Sequence, residues 1–174
     1  MRRAIVNVIS IILAFVLQTA VFPFIPYVSI SPNLLIIITF SLAFVYGEKE
    51  GIIYGVLCGL LLDFYYPSPL GLYTLIFAVI GYLNGLFSKY YYDNYILLPI
   101  LLCVVNEMIF NLYLFLYRML VRSGADITFF LKKIMLPEMV LTLLFTLVLY
   151  RAILGYNNAL AKIDEREKKK RMNA

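Results

Sequence analysis

Histidine is missing from all 174 residues of this chain. Its absence removes His-ligated metals, histidine general bases and every triad built on imidazole. Cysteine is scarce: Cys58 and Cys103 are the two, and both lie inside apolar runs. A disulfide framework is therefore not the organising device, and both read as small packing residues. Charge is scarce too. Charged residues make up 14% of the chain, against 63% hydrophobic, and the mean hydropathy is +0.90. Soluble domains are about 45–50% apolar. So thin a charged shell cannot cover this much apolar surface, and the chain reads as an integral membrane protein. The net charge of +5 belongs to membrane orientation and not to nucleic acid, because the basic residues gather at the two ends.

What is abundant is apolar sequence cut by short breaks. Arg2-Arg3 precede a run from Ala4 to Phe22, with no small-residue cleavage site after it, so it reads as a first span and not as a signal peptide. Prolines 23, 26 and 32 break the chain, and Ser31-Pro32 reads as a cap followed by a first helical proline. A second span runs from Pro32 to Tyr46, about 22 Å long at 1.5 Å per residue. Glu48-Lys49-Glu50 forms a tight break before a third span, Gly51 to Tyr66. The PSPLG turn leads to a fourth, Leu70 to Ser88. A fifth, Ile96 to Tyr117, and a sixth, Ile134 to Leu154, follow. The expectation is an all-α integral membrane protein of six transmembrane helices. Residues 1–155 form the membrane domain and 156–174 a basic cytoplasmic tail.

Six spans put both ends on one side. Eleven of the 15 Lys and Arg residues fall on the side of the termini; Arg118, Arg122, Lys132 and Lys133 fall on the other. The positive-inside rule then makes both termini cytoplasmic.

One stretch carries an internal pattern. Gly47, Gly51, Gly55 and Gly59 recur every fourth residue, and Asp63 takes the next place. In lipid, helices associate by close backbone approach, which glycine allows. Gly51, Gly55 and Gly59 predict a packing groove, and Gly81 and Gly85 a second small pair on the fourth span. Packing within the molecule is the main reading and a homodimer face the minor one. Gly51→Ala is expected to be milder than Gly55→Leu or Gly59→Leu, because Gly51 lies at the end of the span.

Asp63 lies in the outer half of its span, where an unpaired carboxylate costs several kcal/mol. Two roles are open: a structural one, capping the turn or pairing helices, and one in partner recognition or conformational change. Glu107 lies deeper, beside Asn106 and one turn before Asn111, on a stripe with Pro99 and Cys103. It reads either as a neutral hydrogen-bonded structural group or as one facing a cavity or partner; no carboxylate chain crosses the membrane to make a proton path. Glu138 begins a face continued by Thr142 and Thr146. No nucleophile–base pair, metal-ligand spacing or cofactor motif is present, so no catalytic, metal or cofactor-binding residue is assigned.

The stretch SPNLLIIITF, followed by YGVLCGLLLDFYYPSPLGLYTLIFAVIGYL, resembles the rod shape-determining protein MreD family. The matching elements are Pro32-Asn33, then Gly55, Gly59 and Asp63, then Leu70-Gly71, then Tyr82. The motifs span Pro32 to Gly85; the last two spans resemble the family in character only. The resemblance implies a non-enzymatic scaffold of the bacterial elongation machinery in the cytoplasmic membrane. It implies association with an MreC-like single-span protein and, through it, with the MreB cytoskeleton and RodA with its transpeptidase. It also implies a six-helix fold similar to the substrate-binding subunits of energy-coupling-factor transporters. A vitamin-binding subunit of such a transporter is the alternative function, distinguished by copurifying ligand and ATPase partners.

Overall fold

The computed structural model describes residues 2–24, 30–67, 69–90, 97–121 and 127–172, without the side chains of 89, 90, 97, 127, 158 and 160–172. Pro26, Arg122, Gly124 and most of the KYYYDNY segment lie outside the described residues. The described chain is helical throughout, with no strand among the described residues. Six principal helices are α1 (Arg2–Val16), α2 (Leu34–Tyr46), α3 (Glu48–Tyr65), α4 (Leu72–Leu86), α5 (Leu97–Val121) and α6 (Leu136–Met172). Three continuous helical stretches are long and apolar enough to cross a membrane: Arg2–Phe24, Leu98–Val121 and Thr128–Asn157.

Two of those three contain a π-helical turn, Leu17–Val21 and Leu131–Met135. Each turn ends two residues before a proline, Pro23 or Pro137. A proline inside a helix lacks its N–H and its ring strikes the carbonyl one turn back. A widened turn just before it relieves that clash.

The second span differs most from its expected setting. α2 is only 13 residues long, and the chain is buried continuously from Pro32 to Phe44. It is the core of the bundle, enclosed by α1, α3, α4, α5 and α6. A helix apolar on all sides belongs in such a place. Because protein surrounds it, its length need not match a bilayer of about 30 Å. Its start also differs: the cap is Asn33, not Ser31. Asn33 Oδ1 accepts from Ile36 N–H (3.4 Å), and Gln18 Oε1, from the π turn of α1, accepts from Leu35 N–H (3.1 Å). Free N–H groups at a buried helix start need such partners, and a neighbouring helix supplies one of them.

The Glu48-Lys49-Glu50 break is the first turn of α3 and not a loop. Gly47 alone joins α2 to α3, at φ 91°, a left-handed value that suits glycine. The two glutamates then sit at the helix N-terminus, where negative charge is favoured.

α3 and α4 form the closest helix pair, antiparallel along the glycines. A methyl group on Gly55 would strike the Phe77 carbonyl, one on Gly59 the Thr74 backbone, and one on Gly85 the Glu48 backbone. The ladder is thus consumed by an intramolecular partner. The reason for expecting a mild Gly51→Ala, its place at the end of the span, does not hold. A methyl group there would meet the Gly81 carbonyl and also the Ala43 methyl, 2.7 Å away. Gly51 lies at a three-helix contact, so its place near the start of α3 gives it no freedom.

α6 runs unbroken from Leu136 to Met172, so the backbone of the 156–172 segment continues the last helix.

Candidate functional site

Asp63 is 4% exposed and turns its carboxylate across the α3–α4 turn. Its Oδ2 accepts from Gly71 N–H (3.0 Å), from Thr74 N–H (3.0 Å) and from the Thr74 hydroxyl; its Oδ1 accepts from Tyr73 N–H (2.9 Å). The local sequence explains why. The residue at the N-cap of α4 is Gly71, at φ 99°. Glycine tolerates that left-handed backbone but brings no side chain to cap the helix. The unpaired N–H groups of the first turn of α4 are therefore capped from the end of α3. A carboxylate at a helix N-terminus is favoured by the macrodipole and by charge-assisted hydrogen bonds. The cost of placing an acid in the membrane is offset by four donors.

Aromatic rings brace the turn. Tyr65 packs edge-on against Phe15 of α1 (5.7 Å between centroids), and its hydroxyl donates to the Thr19 carbonyl (3.3 Å). Tyr66 lies between Tyr65 and Tyr73. The outer side of the same turn is apolar and uncovered: Phe64 is 76% exposed and Leu70 is 74% exposed.

The second polar group lies between α5 and α6. Glu107 and Asn111 are 0% and 1% exposed, and Asn111 Nδ2 donates to Glu107 Oε2 (3.1 Å) and to the Glu107 carbonyl (3.1 Å). Facing them, Thr142 and Thr146 of α6 are fully buried, and the Thr146 hydroxyl contacts Cys103 Sγ at 3.2 Å. Asn33 N–H donates to Thr142 Oγ1 (3.0 Å), which ties the start of α2 to the same place. Asn33, Asn111 and Glu138 line one cavity of about 400 Å³ with Tyr66 and Tyr73. The fold thus brings together residues from four separate stretches of the chain, at the end of the bundle that carries the Asp63 turn.

Asn106 does not join this group. One residue along a helix turns the side chain about 100°. Asn106 points to α4, where it exchanges two hydrogen bonds with Asn84 (2.8 and 3.0 Å). Tyr82 sits on the outer face of α4, 43% exposed. Four contributors were not singled out from sequence: Gln18, Tyr73, Thr74 and Asn84. Gln18 and Asn84 carried a signal, since each is a lone amide in an apolar run. Tyr73 and Thr74 carried none, because their part is played largely by backbone N–H groups. Among the described residues no cluster of three or more His, Cys, Asp or Glu could hold a metal.

Neither the curated proteins nor the solved structures contain a match to this chain. A family model described as "MreD: rod shape-determining protein MreD" matches residues 1–159. That match extends beyond the glycine–aspartate stretch through nearly all of the helical bundle. The chain belongs to the MreD family of rod shape-determining membrane proteins.

Proposed function

We propose that the protein is a non-enzymatic scaffold of the cell-elongation complex. It lies in the bacterial cytoplasmic membrane as six spans with both termini in the cytoplasm. Its direct partner is an MreC-like single-span protein, through which it joins the MreB cytoskeleton and RodA with its transpeptidase. Its helix arrangement is similar to that of the energy-coupling-factor substrate-binding subunits, a reading supported by the resemblance of Pro32 to Gly85.

The observation that carries the docking role is the Asp63 turn. Four hydrogen bonds converge on one buried carboxylate and fix a turn whose outer side exposes Phe64 and Leu70. Uncovered apolar side chains beside a fixed turn suit a partner span or its juxtamembrane segment. The turn is held in one shape before the partner arrives, so binding does not have to order it.

The test separates shape from charge. Asp63→Asn keeps one acceptor oxygen, which in the Oδ2 position retains three of the four donors. It is expected to keep most partner copurification, normalised to membrane protein level. Asp63→Leu leaves the donors of α4 without an acceptor and is expected to lose about nine-tenths of the partner, a free-energy loss of about 1.4 kcal/mol. If Asn proves as damaging as Leu, the charge itself is recognised. If both variants bind normally, the turn is not the docking site.

A further inference from the structure

An apolar slot of about 570 Å³ opens between α5 and the helical segment leading into α6, lined by Val105, Met108, Leu112, Phe115 and Met135 among others. Behind it lies the polar cavity of about 400 Å³ that holds Asn111, Glu138 and Arg118. The two share Asn111 and Phe130 as a common wall. An oily slot and a polar chamber divided by one amide and one ring have the outline of an amphiphile.

The polar end has a definite chemistry. Asn111 Oδ1 and Glu107 Oε1 are buried and receive no hydrogen bond among the described residues. Glu138 adds a further carboxyl on the cavity wall. A proton on one of the two acids supplies a single donor to this group. A buried acceptor without a donor costs about 1–3 kcal/mol. The chamber is therefore short of donors. On its outer side stands one cation: Arg118 is exposed, with its guanidinium 5.3 Å from the Phe130 ring centroid. The complementary head group carries several N–H donors with a positive charge, and next to them an anionic oxygen cluster. The ammonium of a phosphoethanolamine supplies the first, and its phosphate supplies the second.

We propose that this slot and chamber form a binding site for an aminophospholipid. Its ammonium lies against Asn111 and Glu138, its phosphate lies against Arg118, and one acyl chain fills the apolar slot. The lipid closes the α5–α6 seam where the π turn Leu131–Met135 widens the helix. This inference is independent of the partner reading of the Asp63 turn.

Native mass spectrometry of the full chain, delipidated in mild detergent, tests it. Phosphatidylethanolamine, phosphatidylcholine and phosphatidylglycerol with identical acyl chains are added in turn. One phosphatidylethanolamine is expected to remain bound, about 10-fold tighter than phosphatidylcholine, whose methylated ammonium has no N–H. Arg118→Gln is expected to weaken both lipids by a similar factor. Glu138→Gln, which keeps the side chain's size, is expected to narrow the preference between them, and Asn111→Leu to abolish it. Where Asn111→Leu fails to fold, Glu138→Gln carries the test. A photo-crosslinker in place of Leu112 is expected to capture lipid in membranes. Equal retention of phosphatidylethanolamine and phosphatidylcholine, tight retention of phosphatidylglycerol, indifference to both charge variants, or capture of a protein helix at Leu112 each overturns it.

Discussion

At the scale of single residues, the bundle uses the same kind of residue for opposite purposes. Gly51, Gly55, Gly59, Gly81 and Gly85 are needed because another backbone occupies the space a side chain would take. Gly71 has open space around its α-carbon and is needed for its left-handed backbone. The two requirements respond differently to substitution. Gly51→Ala is expected to destabilise by about 1–3 kcal/mol, since the methyl group forces α2, α3 and α4 apart. Gly71→Ala is expected to cost about 1–2 kcal/mol through backbone strain alone. Denaturation in sodium dodecyl sulfate reads both. A further change separates them: Gly71→Asn recovers part of the loss, because asparagine adopts the left-handed region more readily, whereas Gly51→Asn is worse than Gly51→Ala. Equal behaviour of the two sites would show that space is not what the ladder provides. The paired amides Asn84 and Asn106 obey a related economy. Each buried amide satisfies the other across α4 and α5, so neither is left to lipid.

At the scale of elements, α2 is the exception that organises the rest. It is apolar enough to be taken for a span, yet other helices enclose it. Its buried start is satisfied by Asn33 and Gln18, its backbone is tied to α6 through Thr142, and its end passes through Gly47 into α3. The chain has no tryptophan, so a single introduced indole reports its own surroundings. Phe40→Trp, in the middle of α2, is expected to escape quenching by brominated phospholipid. Leu144→Trp, at a position on α6 that is 60% exposed, is expected to be strongly quenched. Strong quenching at Phe40 would mean that α2 faces lipid and that the bundle is arranged differently.

At the scale of the whole molecule, the arrangement divides the two ends of the bundle. The Asp63 turn, the start of α2 and the polar chamber share one end. The Gly47 joint, with exposed Glu48, Lys49 and Glu50, lies at the other. The positive-inside rule assigns the second end to the cytoplasm. A reporter active only in the cytoplasm is therefore expected to work when fused after Ala174 and to fail when inserted at Gly124. Activity at Gly124 would break the six-span orientation, and with it the placement of the proposed docking turn on the outer face.

The sequence by itself determined the solvent, the family and the pairing device. Composition alone requires a membrane. The stretch from Pro32 to Tyr82 carries the family pattern, and glycines four apart announce a backbone contact. It also marked Asp63, since a carboxylate in an apolar run must find donors. What it could not determine was which side of a helix meets which neighbour. Asn106 and Glu107 are adjacent in sequence, yet one faces α4 and the other α6. A run of isoleucine and leucine reads the same whether lipid or protein surrounds it, so only the fold revealed α2 as core and the crowding at Gly51. The donors that meet Asp63 are mostly backbone N–H groups, which every residue but proline carries and no residue type signals. The chamber around Asn111 depends on long-range packing: its walls come from five stretches of chain, and adjacency of that kind exists only once the helices have packed.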